Sequence, residues 1–293
     1  MWASVQISPG RDGTTAGGYR PRMADTGDDV TLTFGGNATT LLRIGPFTLL
    51  TDPNFLHRGQ RAHLGYGLRA KRLTEPALQP TQLPTLDGIL LSHMHGDHWD
   101  RIATKSLPKA TPVVTTPEAA KCLADRGFTR TSDLRAWETH EFTRGTDTLR
   151  ITSVPGVHGP GPLDRALPQV MGSVVELTRG GVTGPEVSWR GFISGDTLYR
   201  PFLGEVLERC GALDVLIPHL GGTKVLGITV TMDARQGADL VELLKPPVTV
   251  PVHYDDYDRF KSPLGDFLAE VGRRELPGEL RTVQRGDTIS LRA

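Results

Sequence analysis

The sequence predicts an α/β protein in which two central sheets lie between outer layers of helices. Short apolar and β-branched segments alternate with helical segments in both halves of the chain. Side chains that can bind a metal follow several of the predicted strands, from His93 to His253. Because these side chains must meet at one point, we expect this stretch to fold as a single unit.

The first strands are predicted at Val30–Phe34, Thr40–Ile44 and Phe47–Thr51, where Gly-containing turns separate apolar runs and favour an antiparallel meander. The later strand predictions share apolar or β-branched composition. They are Leu86–Leu91, Pro112–Thr115, Leu149–Val154, Ser173–Leu177, Val187–Ser194, Val215–Pro218, Val248–His253 and Thr288–Arg292.

Three helices are predicted from their ends and their spacing. Thr116 is an N-cap residue, Pro117 suits the first helical position, and Gly127 suits the end of that helix. A second helix is predicted at about Asp233–Leu244, where apolar residues recur at helical spacing, and a third at about Gly204–Arg209.

A dense cluster of metal-binding residue types follows the strand predicted at Leu86–Leu91. Residues 92–100 read Ser-His-Met-His-Gly-Asp-His-Trp-Asp and supply four candidate ligands: His93, His95, Asp97 and His98. Imidazole nitrogen together with carboxylate oxygen is a donor set that suits zinc, with manganese or iron as alternatives. The strand in front places these side chains at a strand's carboxyl end, where active sites of layered α/β folds commonly lie.

The His-x-His-x-Asp-His pattern resembles the metallo-β-lactamase-fold superfamily, and later motifs follow in the expected order. These are Val154–His158, Phe192–Thr197 and Val248–His253. The resemblance implies a four-layer αββα sandwich with two mixed sheets. Leu49–Pro53, Asp100 and Gly195–Thr197 point to the branch of ascorbate-6-phosphate lactonases and N-acyl-phosphatidylethanolamine phospholipase D enzymes. One departure is Asn37, which stands where many members carry histidine.

The resemblance also implies two divalent metal ions, most simply Zn²⁺. His93, His95 and His158 would hold one ion, Asp97, His98 and His253 the other, and Asp196 would bridge the two.

This centre suggests a dinuclear metal-dependent hydrolase in which a metal-bridging hydroxide cleaves a phosphodiester or a lactone-like ester. Asp97 or Asp196 is expected to shuttle the proton. His219, at the end of the strand predicted at Val215–Pro218, is a candidate acid or substrate contact, or else a core histidine. The alternatives are a mono-iron oxidoreductase on the same fold and a non-catalytic metal-binding relative.

The composition limits the classes of molecule that the protein is expected to bind. Equal numbers of basic and acidic residues, 33 each, give no net positive field for nucleic acid, so we expect a small-molecule substrate. Five cations after Asp52 either meet an anionic substrate or form a solvated loop: Arg58, Arg61, Arg69, Lys71 and Arg72. The oligomeric state stays open between a monomer and a homo-oligomer.

The chain has two cysteines, which are far apart and lack metal-binding spacing, as fits a reducing cytoplasm. No long apolar run or leader is visible, so we expect a cytoplasmic protein with no membrane span. Residues 1–29 lack periodicity and predict a flexible tail, with a single domain over residues 30–293. Met23 is an alternative start.

Several residues near the predicted centre have two interpretations. Asp52 either orients a ligand histidine or caps a turn. Tyr254 and Tyr257 either donate to a developing oxyanion or lie on a surface loop. The histidines expected to be non-ligands are His57, His63 and His140. Ser194 is not expected to be a nucleophile, because no Gly-x-Ser-x-Gly turn surrounds it.

Overall fold

The computed structural model describes residues 5–6, 29–181, 184–225 and 227–293. Within them the strands form two large sheets and two separate hairpins. The first sheet has seven strands in the order β19-β2-β3-β4-β7-β8-β9. Its strands are β2 (Val30–Gly36), β3 (Thr39–Ile44), β4 (Phe47–Thr51), β7 (Gly88–Leu90), β8 (Val113–Thr115), β9 (Thr131–Asp133) and β19 (Thr288–Ser290).

The second sheet has eight strands in the order β1-β18-β17-β14-β13-β12-β11-β10. Its strands are β1 (Val5–Gln6), β10 (Thr139–Arg144), β11 (Asp147–Pro155), β12 (Met171–Gly181), β13 (Gly184–Ile193), β14 (Val215–Ile217), β17 (Val248–Thr249) and β18 (Glu279–Arg281). The remaining strands form the hairpins β5 (Arg61–His63) with β6 (Arg69–Lys71), and β15 (Lys224–Val225) with β16 (Ile228–Thr229).

Both sheets are mixed and are built in the same way. Each contains a run of antiparallel neighbours, β2-β3-β4 in the first sheet and β10 to β13 in the second, followed by parallel neighbours. The predicted opening meander is therefore confirmed. Parallel pairing requires crossovers between strands, and these crossovers carry most of the helices.

Five helices cover the outer faces of the sheets in the described part of the chain. They are α1 (Arg101–Ser106), α2 (Pro117–Asp125), α3 (Glu205–Cys210), α4 (Ala234–Leu244) and α5 (Leu264–Arg273). None is long and apolar enough to cross a membrane.

Three apolar cores show how the layers pack: one lies between the two sheets, and one lies between each sheet and its helices. Leu49 of β4 and Val215 of β14 face each other's sheet in the central core. Leu50, the next residue along β4, points the other way and packs with α1 and α2. Leu216 of β14 likewise packs with α3, α4 and α5 on the far side. The alternation of neighbouring residues between two cores gives the four layers αββα and confirms the predicted fold.

The predicted helix ends agree with the structure. Thr116 caps α2 through a hydrogen bond from the Ala119 amide, and Asp233 caps α4. Gly127, just past the end of α2, has φ +87°, a conformation that glycine adopts without the steric cost of a side chain.

The structure differs from the predictions at β17 and in the N-terminal tail. The strand predicted at Val248–His253 ends at Thr249, since Pro251 has no N–H for the ladder and His253 turns to φ 62°. Part of the predicted N-terminal tail forms β1, which pairs with β18 in parallel. The other tail residues up to Asp28, including Met23, lie outside the described residues.

Candidate metal centre

Every predicted ligand lies just beyond the carboxyl end of a strand. His93, His95, Asp97 and His98 follow β7 of the first sheet. The others follow strands of the second sheet: His158 follows β11, Asp196 follows β13 and His253 follows β17. The two sheets therefore bring ligands from opposite sides into one buried cluster, in which each of the seven residues is at most 7% exposed.

The first group consists of three histidines. His93 Nε2 lies 2.9 Å from His95 Nδ1, and His158 Nε2 lies 3.1 Å from the same atom. Three ring nitrogens thus face one point. This is the arrangement expected of three imidazole ligands of one metal ion.

The second group adds a carboxylate to two histidines. His98 Nε2 and His253 Nε2 are 3.2 Å apart, and Asp97 Oδ2 lies 3.9 Å from the first and 3.5 Å from the second. Asp196 Oδ2 is 3.2 Å from His98 Nε2. Asp196 also lies close enough to His93 to form a ligand group with His93 and His98, so its carboxylate stands between the two groups.

The other ring nitrogens of these histidines bind protein groups. Nδ1 of His158 donates to the Val230 carbonyl and Nδ1 of His253 to the Leu220 carbonyl, each at 3.0 Å. Because a carbonyl only accepts, these bonds place the proton on Nδ1 and leave the Nε2 lone pair facing the cluster. Such contacts orient imidazoles in protein metal sites.

Asp52 contacts a candidate ligand rather than capping its own turn. Its carboxylate accepts hydrogen bonds from the amide and hydroxyl of Ser92 at 2.7 and 3.0 Å, and it lies 3.2 Å from His98 Nδ1. The orienting interpretation of Asp52 therefore agrees with these contacts.

Electrostatics divides the histidines into two kinds. Burial, together with neighbouring imidazoles, lowers the pKa of His93 well below its usual value and lowers that of His95 to about 3. Burial would also lower the pKa of His98, but Asp196, Asp52 and Asp97 outweigh it and raise that pKa. The all-histidine group is therefore neutral at pH 7, as metal ligation requires, and the negative charge is concentrated at the second group.

The chemistry of the facing atoms tests whether these residues fit a metal. His158 Nε2 carries no proton, because its Nδ1 donates to the Val230 carbonyl, and it lies 3.1 Å from His95 Nδ1. Neutral imidazole nitrogens gathered in this way, beside two carboxylates, present lone pairs toward one place. Imidazole and carboxylate donors match borderline divalent ions, so the residues fit the predicted metal group.

His219 lies inside the same cluster. It follows β14, is 1% exposed, and its Nδ1 is 3.3 Å from Asp196 Oδ1. It therefore contacts the candidate bridging carboxylate. The histidines expected to be non-ligands lie outside these ligand groups, and His57 instead pairs with Glu75 at the surface.

A buried polar network lies behind the ligand loop, and sequence reasoning missed it. Arg72 and Asp256 form an ion pair at 3.3 Å with both side chains fully buried. Gly36 makes room for this pair, since a Cβ there would lie 2.9 Å from Arg72 Nη2. Asp256 Oδ2 accepts a hydrogen bond from the backbone N–H of Asn37 at 2.6 Å. Arg72 also donates to the carbonyl and side-chain oxygens of Asn54.

The two asparagines of this network hold the backbone of the ligand loop. Asn37 Nδ2 donates to the Asp97 carbonyl at 2.7 Å, and Asn54 Nδ2 donates to the Gly96 carbonyl at 3.0 Å. The Asn37 carbonyl accepts from the His253 amide at 3.0 Å. Asn37 therefore ties ligand segments of both sheets together.

The network corrects two sequence interpretations. Arg72 was a candidate for contact with an anionic substrate, but it is fully buried and paired with Asp256. Tyr257 is neither a surface residue nor a free donor, because it is 1% exposed and its hydroxyl donates to Asn54 Oδ1 at 2.8 Å. Tyr254 is also largely buried and packs on Phe34, with ring centroids 6.4 Å apart.

Three non-glycine residues around the cluster have positive φ. Asn37 has φ 57°, Asp52 has φ 36° and His253 has φ 62°. Backbone strain of this kind costs about 1–3 kcal/mol per residue and is concentrated at functional sites. The surrounding contacts hold these residues in place.

A model of the beta-lactamase superfamily domain matches residues 48–254, which include all of the candidate ligands. The chain belongs to this family. The predicted resemblance to the metallo-β-lactamase-fold superfamily is thereby confirmed, while the particular branch stays a prediction.

Curated relatives and a solved structure agree with this assignment. The UPF0173 metal-dependent hydrolase of Pyrococcus furiosus is 26% identical over 199 residues, covering 67% of this chain and 79% of the relative. The UPF0173 metal-dependent hydrolase of Thermococcus kodakarensis is 26% identical over 262 residues, covering 89% of this chain and all of the relative.

The crystal structure of an isothiocyanate hydrolase from Delia radicum gut bacteria has the same fold. Its TM-score is 0.73 at 20% identity, and the match covers 90% of this chain and 100% of that one.

The Asn37 contacts predict that Asn37→Gly weakens metal binding. Glycine tolerates the positive φ, so the variant removes the side-chain donor to Asp97 without adding backbone strain. We expect a loss of about 10–100-fold in the affinity for a divalent ion, as is usual for outer partners of metal ligands. Competition with a chelator measures this affinity. Thr33→Val, which removes a hydrogen bond to Thr288 elsewhere, is the control and should leave the affinity unchanged.

The lowered pKa of Asp256 predicts how the free energy of unfolding depends on pH. Burial would raise its pKa, but Arg285 and then Arg72 outweigh it, so the folded-state pKa lies below the usual value. Such a carboxylate stabilises the fold fully above its unfolded pKa of about 3.9, and this stabilisation is lost as pH falls through the lower folded pKa.

We therefore expect Asp256→Asn to lower the free energy of unfolding at pH 7 by about 3–5 kcal/mol, because it leaves a buried cation without its partner. The difference from wild type should shrink below about pH 4. Urea unfolding of metal-stripped protein measures both. Asp133→Asn, at an exposed position, is the matched control, and a difference that stayed constant with pH would contradict the assignment.

Proposed function

We propose that this protein is a dinuclear metal-dependent hydrolase that cleaves a phosphodiester or a lactone-like ester. The observation that supports it best is the convergence of seven buried histidine and aspartate side chains into two adjoining ligand groups. Membership of the beta-lactamase superfamily domain family and the names of the curated relatives point to the same reaction class.

His93, His95 and His158 would hold one ion, Asp97, His98 and His253 the second, and Asp196 would be shared. When bound, two such ions lower the pKa of a coordinated water from about 15.7 toward 7 and polarise the bond to be cleaved. The protein's part is to hold the ligands in place and to exclude bulk water, which the burial of the whole cluster supports.

Asp97 is the best placed proton carrier. Its Oδ2 faces His253 Nε2, whereas Oδ1 has no hydrogen-bond partner among the described residues. Oδ1 can therefore take a proton without breaking an existing bond. His219 contacts Asp196 through Nδ1 and leaves Nε2 unpaired, so it can position the shared carboxylate or serve as an acid.

An iron-dependent oxidoreductase remains the second candidate, because histidine and carboxylate ligands also suit iron. It predicts a protein that consumes oxygen when loaded with iron. A zinc-loaded protein that hydrolyses esters without oxygen uptake excludes it.

The test is hydrolysis of an activated phosphodiester and of a lactone panel by protein reconstituted with zinc or manganese. We expect turnover of one of these classes, and His98→Ala should lower kcat at least about 100-fold while the protein stays folded. His57→Ala removes a surface histidine outside the cluster and should keep the wild-type rate. Full activity of His98→Ala would show that the cluster is not the reaction centre.

A further inference from the structure

A separate cavity lies on the outer side of the ligand loop. Its volume is about 470 Å³, within the range of small-molecule sites. The walls come from the β5–β6 hairpin, from α1 and from the end of α2. Met94 and Gly96 of the ligand loop line it. They alternate along the chain with the candidate ligands His95 and Asp97, which do not line it.

The hairpin wall is fixed against the ligand loop. The Gly96 amide donates to the His63 carbonyl at 2.8 Å. A Cβ on Gly96 would lie 2.6 Å from the backbone nitrogen of His63, so only glycine allows this close approach. A close backbone contact therefore holds this wall of the cavity against the ligand loop.

Four cations line this cavity, from three parts of the chain: Arg61, Arg101, Lys105 and Arg126. Within the described ranges, none of them has an acidic side chain within 4 Å. In another groove, by contrast, Arg150 and Arg190 are both paired with Glu176. In a chain with equal numbers of acidic and basic residues, this local excess of positive charge is unbalanced.

The one carboxylate of the lining does not neutralise the cations. Asp100 is 4% exposed, and its oxygens accept hydrogen bonds from the amides of Phe55, Ile102 and Ala103. The bonds from Ile102 and Ala103 cap α1, and the three bonds together use the carboxylate inside the fold.

The floor of the cavity is apolar. Met94, which is partly exposed, supplies part of it together with the almost fully buried Leu56 and Trp99, and Trp99 is held edge-on against Phe128 with ring centroids 5.1 Å apart. A hydrated inorganic ion would leave this apolar surface in contact with water, whereas an apolar group would cover it. Cations at the rim and apolar side chains below select a ligand with both parts.

We propose that this cavity binds a small organic anion, with an aryl or alkyl body on the floor and a phosphate, sulfonate or carboxylate group among the four cations. The site is distinct from the candidate metal centre, and its existence does not depend on the proposed hydrolysis. Because it shares the Met94–Gly96 backbone with the ligand loop, a bound anion would lie against the reverse side of that loop.

The probe is 8-anilinonaphthalene-1-sulfonate, an aryl sulfonate that fluoresces when bound to apolar surface. We expect saturable binding to the metal-loaded wild type, at least 10-fold weaker in the double variant Arg101→Glu and Lys105→Glu. Both residues lie at the protein surface, on α1. The control carries the same charge change at two exposed positions outside the cavity, Arg43→Glu and Arg135→Glu, and should bind as the wild type does.

Two results would overturn this proposal. One is equal binding by the cavity variant and the control variant. The other is loss of binding when chelator removes the metal from wild type, which would place the probe on the metal centre instead. Failure of the hydrolysis assay would not bear on either result, because the readout is fluorescence of the bound probe.

Discussion

The whole structure depends on burying carboxylates and imidazoles together where the two sheets meet. Buried charge is tolerated only where each group finds a partner, and the atoms that face one another here, such as His95 Nδ1 and Asp97 Oδ2, are ring nitrogens and carboxylate oxygens gathered in one place. A cation shared by these groups is the partner that their chemistry calls for. The fold serves this need, since candidate ligands follow the carboxyl ends of β7 in the first sheet and of β11, β13 and β17 in the second.

The support of this cluster comes from polar contacts beneath it. Asn37 joins the Asp97 carbonyl to the His253 amide, and the Arg72–Asp256 pair holds Asn37 and Asn54 in turn. A buried ion pair is weak evidence for stability, because its desolvation offsets much of its attraction. Its value here is geometric, since it fixes two loops that carry candidate ligands from different sheets.

The sequence predicts the fold class, most strands and the candidate ligands because these depend on local patterns. Apolar strands followed by His or Asp are visible without any tertiary information. The network could not be predicted in the same way. Arg72 looks like a surface cation in a basic loop, and its partner Asp256 is 184 residues away. The predicted helices omit α1, although Asp100 directly before it is a recognisable N-cap residue and a local signal for the start of a helix. Pro251 likewise marked the early end of β17.

The proposed function requires two metal ions between the sheets. The most direct measurement is the metal content per chain, by elemental analysis, of protein saturated with zinc and then dialysed, beside an Asp196→Asn variant. We expect two ions per wild-type chain and fewer in the variant, because Asp196 stands between both ligand groups. A wild-type chain that retained no zinc, or a variant that retained the same amount as wild type, would contradict it.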